Sequence, residues 1–326
     1  MTEGDSAVGT GGGAHASGPV SRSLLVTGPR HLAWEERTLP SLGAHDVLVE
    51  TRAGAISIGS ELPHYLGTAR HSTPDTYPLT TGYESLGVVA TRGRGVRRLR
   101  EGDRVVAFYG HRTRAVVPED KVIVVPPGVG DEEALLAILS CDVAKGIRKV
   151  QPWIGEPTLV TGAGAIGLLT VWVLGALGAT QVDVCEPLAA RRALARSLGA
   201  RRAFDPAETP GEAPYAVGVE CSSRDAAFAL LQEHLRPNGR VCILADGNVE
   251  PLTLTPAFHE KELLVVGSSD GWDYQAHATW YFDVLSRGGS ALAHIFDLEV
   301  PVSALAQTLE RLATDNTAAI KVCVRY

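Results

Sequence analysis

The sequence predicts an α/β protein in two parts, an all-β unit followed by a doubly wound parallel sheet. Two rhythms and one motif predict it. From residue 23 to about 127 short β-runs alternate with turn residues and no long helix intervenes. From Pro157 onward strands alternate with helices, which builds a parallel sheet covered on both faces. At the change of rhythm stands PTLVTGAGAIGLLTVWVLGALGATQVDVCE, which reads as strand, glycine turn, helix, strand and terminal acid.

Taken in order, residues 1–20 are rich in Gly, Ser and Ala without periodicity and read as a disordered tail. The runs SLLVTG, HLAWEE, DVLVETRAGAIS, SLGVVATRG, DRVVAFYG and KVIVVPPG then predict a small barrel. Asp131 is placed as an N-cap, with Glu132 and Glu133 in the first turn of a helix running toward Val150. This divides the chain into a barrel domain over 21–150, completed by about 298–326, and a sheet domain over 151–297.

Within the central stretch, residues 158–161 are a β-branched, apolar strand ended by Gly162-Ala163-Gly164-Ala165-Ile166-Gly167. Gly162 permits a tight turn, Gly164 lets the backbone approach a pyrophosphate, and Gly167 lets the helix lie close to the strand. The phosphates then meet the free N–H groups of the following helix, 166–177, with Ala165 and Ile166 at its start. That helix is apolar on nearly every face and is expected to be buried. Further strands and helices follow as RRAFD, YAVGVEC, DAAFALLQEHL, a PNG turn, GRVCILAD and ELLVVGSS. Glu186 ends the second strand, 19 residues after Gly167, where its carboxylate can accept hydrogen bonds from ribose hydroxyls. An acid there repels a 2′-phosphate, so NAD(H) is favoured. Arg191 and Arg192 lie just downstream; they read as a solvated helix face, but leave NADP(H) open.

Whole-chain properties exclude other classes. At 326 residues two domains are expected, and 45% apolar with 21% charged residues suits a globular chain. A net charge of −7 offers no footprint for nucleic acid. No targeting segment and no apolar run long enough for a bilayer are visible, so a cytoplasmic protein is expected. Five dispersed cysteines, never spaced as CxxC, fit a reducing compartment.

The order of parts resembles the medium-chain dehydrogenase/reductase superfamily: a GroES-like barrel, a Rossmann domain and a returning C-terminal strand. GSELPHYLG is similar to that family's GSDLHxYxG, YPLTTGYESLGVV to its PxxxGHExxGxV, and REGDRVV to its GDRV turn. GAGAIG resembles its cofactor loop, and LRPNGRVCILADG the strand pair that follows. Zinc-dependent members bind the catalytic metal through a Cys just before GSD, the His of GHE and a later Cys. Those positions hold Ile58 (or Ser57 with one residue inserted), Tyr83 and Cys141 in this chain. Neither isoleucine, serine nor tyrosine is a normal zinc ligand, and the four cysteines of the structural zinc lobe are absent. The resemblance therefore implies a protein without either zinc. The GYES and GSE strings are similar to a metal-free branch that includes the bacteriochlorophyllide hydroxyethyl dehydrogenases, a substrate not carried over here.

Without a metal, hydride transfer still needs a hydrogen-bond donor where oxygen charge develops. Tyr83, in a former ligand position, is the first candidate, with a packing aromatic as its rival reading. Ser60 matches the family's proton-relay hydroxyl. His64 stands one residue past the relay histidine position, which is Pro63 here. Glu61 and Glu84 are expected to organise loops, and Cys141 and Asp142 to wall the cleft. The resulting expectation is an NAD(H)-dependent reductase or dehydrogenase of a small-molecule alcohol or ketone, in a specialised biosynthetic pathway. The alternatives are a conjugate-ene reductase and a non-catalytic dinucleotide-binding protein. Pairing through ELLVVGSS predicts a homodimer.

Overall fold

A computed structural model describes residues 18–69, 73–208, 214–245, 250–288 and 291–326. Most of the expected tail lies outside these residues. Its last three do not behave as tail: Pro19 accepts a hydrogen bond from the Leu39 N–H, and a strand starts at Val20.

The first part contains strands β1 (Val20–Gly28), β2 (His31–Thr38), β3 (Asp46–Ile56), β4 (Leu79–Thr80), β5 (Glu84–Arg92), β6 (Arg104–Ala107), β7 (Arg114–Pro118) and β8 (Ile123–Val124). Helix α1 (Ile58–Leu66) interrupts them. The all-β reading of 23–127 has no place for it, and Pro63 inside it is a residue that normally breaks helices. Gly67 closes it in the left-handed region at φ 73°, where only glycine sits without strain.

The single helix expected from Asp131 to Val150 is two, α2 (Asp131–Leu135) and α3 (Ala137–Val150). Gly130 takes the N-cap position and Asp131 is already helical. The expected N-cap is displaced because Asp131 serves an ion pair instead, accepting from Arg325 at 2.8 Å.

The second part holds β9 (Thr158–Thr161), α4 (Ala165–Ala176), β10 (Val182–Cys185), α5 (Ala189–Ser197), β11 (Arg202–Phe204), β12 (Tyr215–Glu220), α6 (Asp225–His234), β13 (Leu235–Ile243), α7 (Pro256–Glu260), β14 (Leu264–Gly267) and α8 (Tyr274–Ser286). Its sheet runs β11-β10-β9-β12-β13-β14 with every pairing parallel. This order reverses between β9 and β12, the switch point at which α/β sheets bind ligands. The expected PNG turn falls at the start of β13, where the pairing with β12 shifts register. Helix α4 begins at Ala165, one residue earlier than expected, with Gly164 as its N-cap.

The chain then returns through β15 (Phe296–Pro301), α9 (Leu305–Leu312) and β16 (Lys321–Arg325). β16 pairs antiparallel with β3 and completes the sheet β15-β16-β3-β5-β6-β8. One apolar cluster unites Ala55, Leu86 and Val106 of this sheet with α3, α4 and Tyr281 of α8, so both domains share a core. Among the described residues no helix is long and apolar enough to cross a membrane.

Candidate active site

The glycine turn follows the geometry that its spacing implies. Gly162 sits at φ 88°. A Cβ on Gly167 would lie 1.9 Å from the Gly162 carbonyl oxygen, so strand end and helix touch there. A Cβ on Gly164 would meet nothing within 4 Å, which leaves its face open to an incoming group. Ala165 and Ile166 form the first turn of α4 beside it. These features fit a dinucleotide pyrophosphate at a helix N-terminus.

Glu186 is less free than its position suggested. It is only 4% exposed, and its carboxylate accepts from the Ala163 N–H at 2.7 Å and the Leu188 N–H at 2.9 Å. The acid thus holds the glycine loop from beneath, and two of its roughly four acceptor sites are committed. Arg191 donates to the Thr317 and Ala319 carbonyls. Arg192 donates to the Glu186 and Pro187 carbonyls and pairs with Asp205 at 3.1 Å. Both arginines are therefore engaged with the protein rather than forming a bare solvated face.

Tyr83, Ser60 and His64 line one cavity of about 210 Å³, together with Glu61, Thr81 and Gly82. Helix α1 presents Ser60 and His64 one turn apart, as i and i+4 neighbours. Glu61 fixes that helix to the Tyr83 loop. One of its oxygens accepts from the Ser57 N–H at 2.7 Å, the other from the Gly82 N–H at 2.9 Å. The result places the Ser60 hydroxyl 3.3 Å from the Tyr83 phenol, toward which it donates. His64 is exposed at the cavity rim. Behind Glu61 stands His111, 2% exposed, with Nε2 3.3 Å from the carboxylate. Burial pushes the Tyr83 phenol far up, Glu84 and Glu61 push the same way, and the Ser57 and Ser60 hydroxyls pull it back. Tyr83 is accordingly a neutral donor at physiological pH. A larger concavity of about 550 Å³ lies against His45, Arg98 and Gln275, and shares no residue with the Tyr83 cavity.

A group that sequence reasoning missed lies beside the phenol. Lys321, fully buried, donates to Glu84 at 2.5 Å and to the Ser57 hydroxyl at 2.9 Å. Ser57 in turn donates to the same Glu84 oxygen at 2.8 Å. Strand register produces the meeting: Val322 lies opposite Ile56, and Ala55 opposite Glu84. A lone lysine at the head of an otherwise apolar run, KVCV, was the available signal.

Cys141 is buried on α3, and burial raises its thiol to about 11. Gly271 packs on it, since a Cβ there would lie 2.5 Å from Sγ. Its neighbour Asp142 accepts from the Tyr274 hydroxyl at 2.7 Å, and burial raises its carboxyl to about 7. Among the described residues the only His, Cys, Asp or Glu trio with metal-ligand spacing is Glu132, Glu299 and Cys323. Arg325 already pairs with both of its acids.

Known proteins share parts of this chain's sequence and its fold. The alcohol dehydrogenase GroES-like domain model matches residues 43–127. An L-threonine 3-dehydrogenase of Chelativorans sp. (strain BNC1) is 28% identical over 270 residues, 68% of this chain and 76% of that protein. The chain is similar to alcohol dehydrogenase-like members of the medium-chain dehydrogenase/reductase superfamily. Relatives such as the Chelativorans protein are named dehydrogenases, and the chain is an oxidoreductase of alcohol dehydrogenase-like type. Solved structures share the whole fold. A short chain alcohol dehydrogenase (rspB) from E. coli CFT073, complexed with NADH, has a TM-score of 0.79 at 22% identity and covers 95% of this chain and 100% of its own. A putative zinc-binding dehydrogenase from Sinorhizobium meliloti 1021, bound to NADP, has the same TM-score of 0.79 at 20% identity, over 94% of this chain and 100% of that one.

Proposed function

We propose that this protein is a zinc-independent, NAD(H)-preferring oxidoreductase that interconverts a small-molecule alcohol and its ketone, with Tyr83 as the proton donor. The observation that carries the reading is the Tyr83 phenol bonded by Ser60 on a cavity where zinc-dependent members present a ligand. A cavity of about 210 Å³ suits a small reacting group, below the ~300 Å³ at which drug-sized pockets begin.

The donor set argues against a catalytic zinc. Ser57 gives its hydroxyl to Glu84 and receives the Lys321 ammonium, a cation already in contact with that oxygen. Tyrosine, at the second ligand position, is not a normal zinc ligand. Ile58 has no donor atom. No step of the mechanism therefore passes through a metal.

The glycine turn is open at Gly164 and suits a nicotinamide dinucleotide, which supplies or accepts the hydride when bound. The remaining work falls to the chain. Tyr83 donates its proton to the substrate oxygen as the carbonyl carbon is reduced, and takes one back in the reverse direction. Ser60 orients the phenol, and His64 at the rim connects the cavity to solvent protons. Glu186 adds negative charge under the glycine loop and disfavours a 2′-phosphate, while Arg191 and Arg192 are occupied elsewhere. The exposed edge strand β14, with Leu264 at 52% exposure, supports pairing of two chains across that edge.

The test is a panel of small ketones, alcohols and activated alkenes assayed with NADH or NAD+ on chelator-treated protein, alongside elemental analysis. Turnover of a carbonyl with its C=C bonds retained, and no stoichiometric zinc, is expected. One tightly bound zinc per chain, with activity lost to chelation, contradicts the proposal. Reduction of the alkene alone points to the conjugate-ene reading.

A further inference from the structure

We infer that Glu61 is a positioning residue for proton transfer: its carboxylate, backed by His111, clamps Ser60 and Tyr83 into register. The inference rests on the reading of Tyr83 as donor. Glu61 follows Ser60 on α1, and Gly82 immediately precedes Tyr83. One Glu61 oxygen accepts from the Ser57 N–H at 2.7 Å, the other from the Gly82 N–H at 2.9 Å. Capping of α1 accounts for the first bond, since Ser57 is the N-cap. It does not account for the second, which reaches 21 residues along the chain to the Tyr83 loop. A carboxylate only 9% exposed is costly to bury, and this one commits both oxygens to backbone beside the two proton-handling side chains.

His111 holds Gly82 from the other side. Gly82 sits at φ 69°, and a Cβ on it would lie 2.7 Å from the His111 ring. The His111 N–H donates to the Thr81 carbonyl at 2.7 Å, which fixes the imidazole against the loop. Its Nε2 lies 3.3 Å from the Glu61 oxygen that Gly82 uses, within ion-pair contact but off the line of a hydrogen bond. Carboxylate and ring thus grip the loop between them.

The alignment they hold has a narrow margin. The Ser60 hydroxyl has one proton and two acceptors at equal distance, the Tyr83 phenol and the Ser57 carbonyl, each at 3.3 Å. A small shift of Tyr83 away from α1 gives that proton to Ser57 and leaves the phenol without its orienting partner. Glu61 opposes the shift because one carboxylate ties Ser57 to Gly82. Rates depend steeply on such placement, and a displacement of about 1 Å can cost roughly 10²-fold. The charge of Glu61 acts in the opposite sense, since with Glu84 it disfavours the phenolate. Neutralising it alone makes Tyr83 a readier proton donor, so a loss of rate on neutralisation reports placement and not field.

The experiment measures kcat and KM for a ketone that the substrate panel shows to be reduced, with NADH also varied and thermal melting as a control. Glu61→Gln is made in the wild-type protein and in Tyr83→Phe. Glutamine keeps the size of the side chain but offers one acceptor oxygen to two N–H groups. In the wild-type background kcat should fall by about tenfold or more, with KM for NADH unchanged. In Tyr83→Phe the same substitution should change kcat by less than about twofold, because the hydroxyl it places is gone. A merely structural role would lower both backgrounds alike. His111→Phe keeps a ring against Gly82 and leaves the Glu61 charge in place. It should lower kcat by about threefold or more in the wild-type background alone, and it decides the matter if Glu61→Gln does not fold. A kcat for Glu61→Gln at or above wild type, or equal losses in the two backgrounds, overturns the role of Glu61. If Tyr83→Phe itself retains wild-type turnover, the donor reading fails and takes this inference with it, so the two failures are distinct.

Discussion

Two glycines one turn apart make opposite predictions. A methyl group on Gly167 would lie 1.9 Å from the Gly162 carbonyl oxygen. An ordinary carbon–oxygen contact is about 3.3 Å, so a shortfall of more than ~1 Å must be absorbed by backbone. The backbone there has little freedom, since Gly162 is already at φ 88° and its N–H is bonded to the Cys185 carbonyl at 2.9 Å. Overpacking usually costs about 1–3 kcal/mol. Gly167→Ala should reach the top of that range, because no side chain can yield. Gly164→Ala meets nothing within 4 Å and holds φ −74°, which alanine accepts. Its stability should stay within roughly 0.5 kcal/mol of wild type. If phosphates approach that open face, however, the added methyl should weaken NADH binding at least tenfold, about 1.4 kcal/mol. Thermal melts and NADH fluorescence titrations separate the effects. Undiminished NADH affinity in Gly164→Ala would refute the placement of the pyrophosphate. An unchanged melt for Gly167→Ala would refute the packing argument.

Three further outcomes are expected. NADH should bind more tightly than NADPH; the reverse order in parallel titrations would mean that Arg191 or Arg192 leaves its present partners for a 2′-phosphate. Burial raises Asp142 from 3.8 to about 7, so between those values the folded chain holds a proton that the unfolded chain releases, and this contribution to stability falls as pH rises. Asp142→Asn should flatten the fall between about pH 4 and 7, with melting followed across that range, and an unaltered slope would count against it. Light scattering should give a dimer mass through β14, whereas a monomer at micromolar concentration would leave that edge unpaired.

The parts governed by local chemistry were legible in the sequence. Alternation of strand and helix gave the parallel sheet, and glycine spacing gave the turn, down to the close contact at Gly167. Tyr83, Ser60 and His64 were placed by motif strings and do share a cavity. What stayed hidden depended on distance along the chain or on competing partners. Lys321 meets Ser57 across 264 residues, which no local pattern reports. Asp142 meets Tyr274 across 132, so an acid in an apolar helix gained its reason only in three dimensions. Pro63 concealed α1, and the ion pairs of Arg325 drew Asp131 away from capping. Glu186 ended its strand as expected, yet its carboxylate turned under the glycine loop because two backbone N–H groups lay within reach.

The central claim, that a phenol takes the place of a metal, is tested most directly by Tyr83→Phe. The substitution keeps the ring and removes only the hydroxyl bonded to Ser60 at 3.3 Å. Loss of a donor to developing oxygen charge typically costs roughly 10²–10³ in rate. A fall in kcat of that size is expected under saturating NADH, with NADH affinity unchanged and a melting temperature within a few degrees of wild type. Turnover equal to wild type would reduce Tyr83 to a packing aromatic and contradict the mechanism.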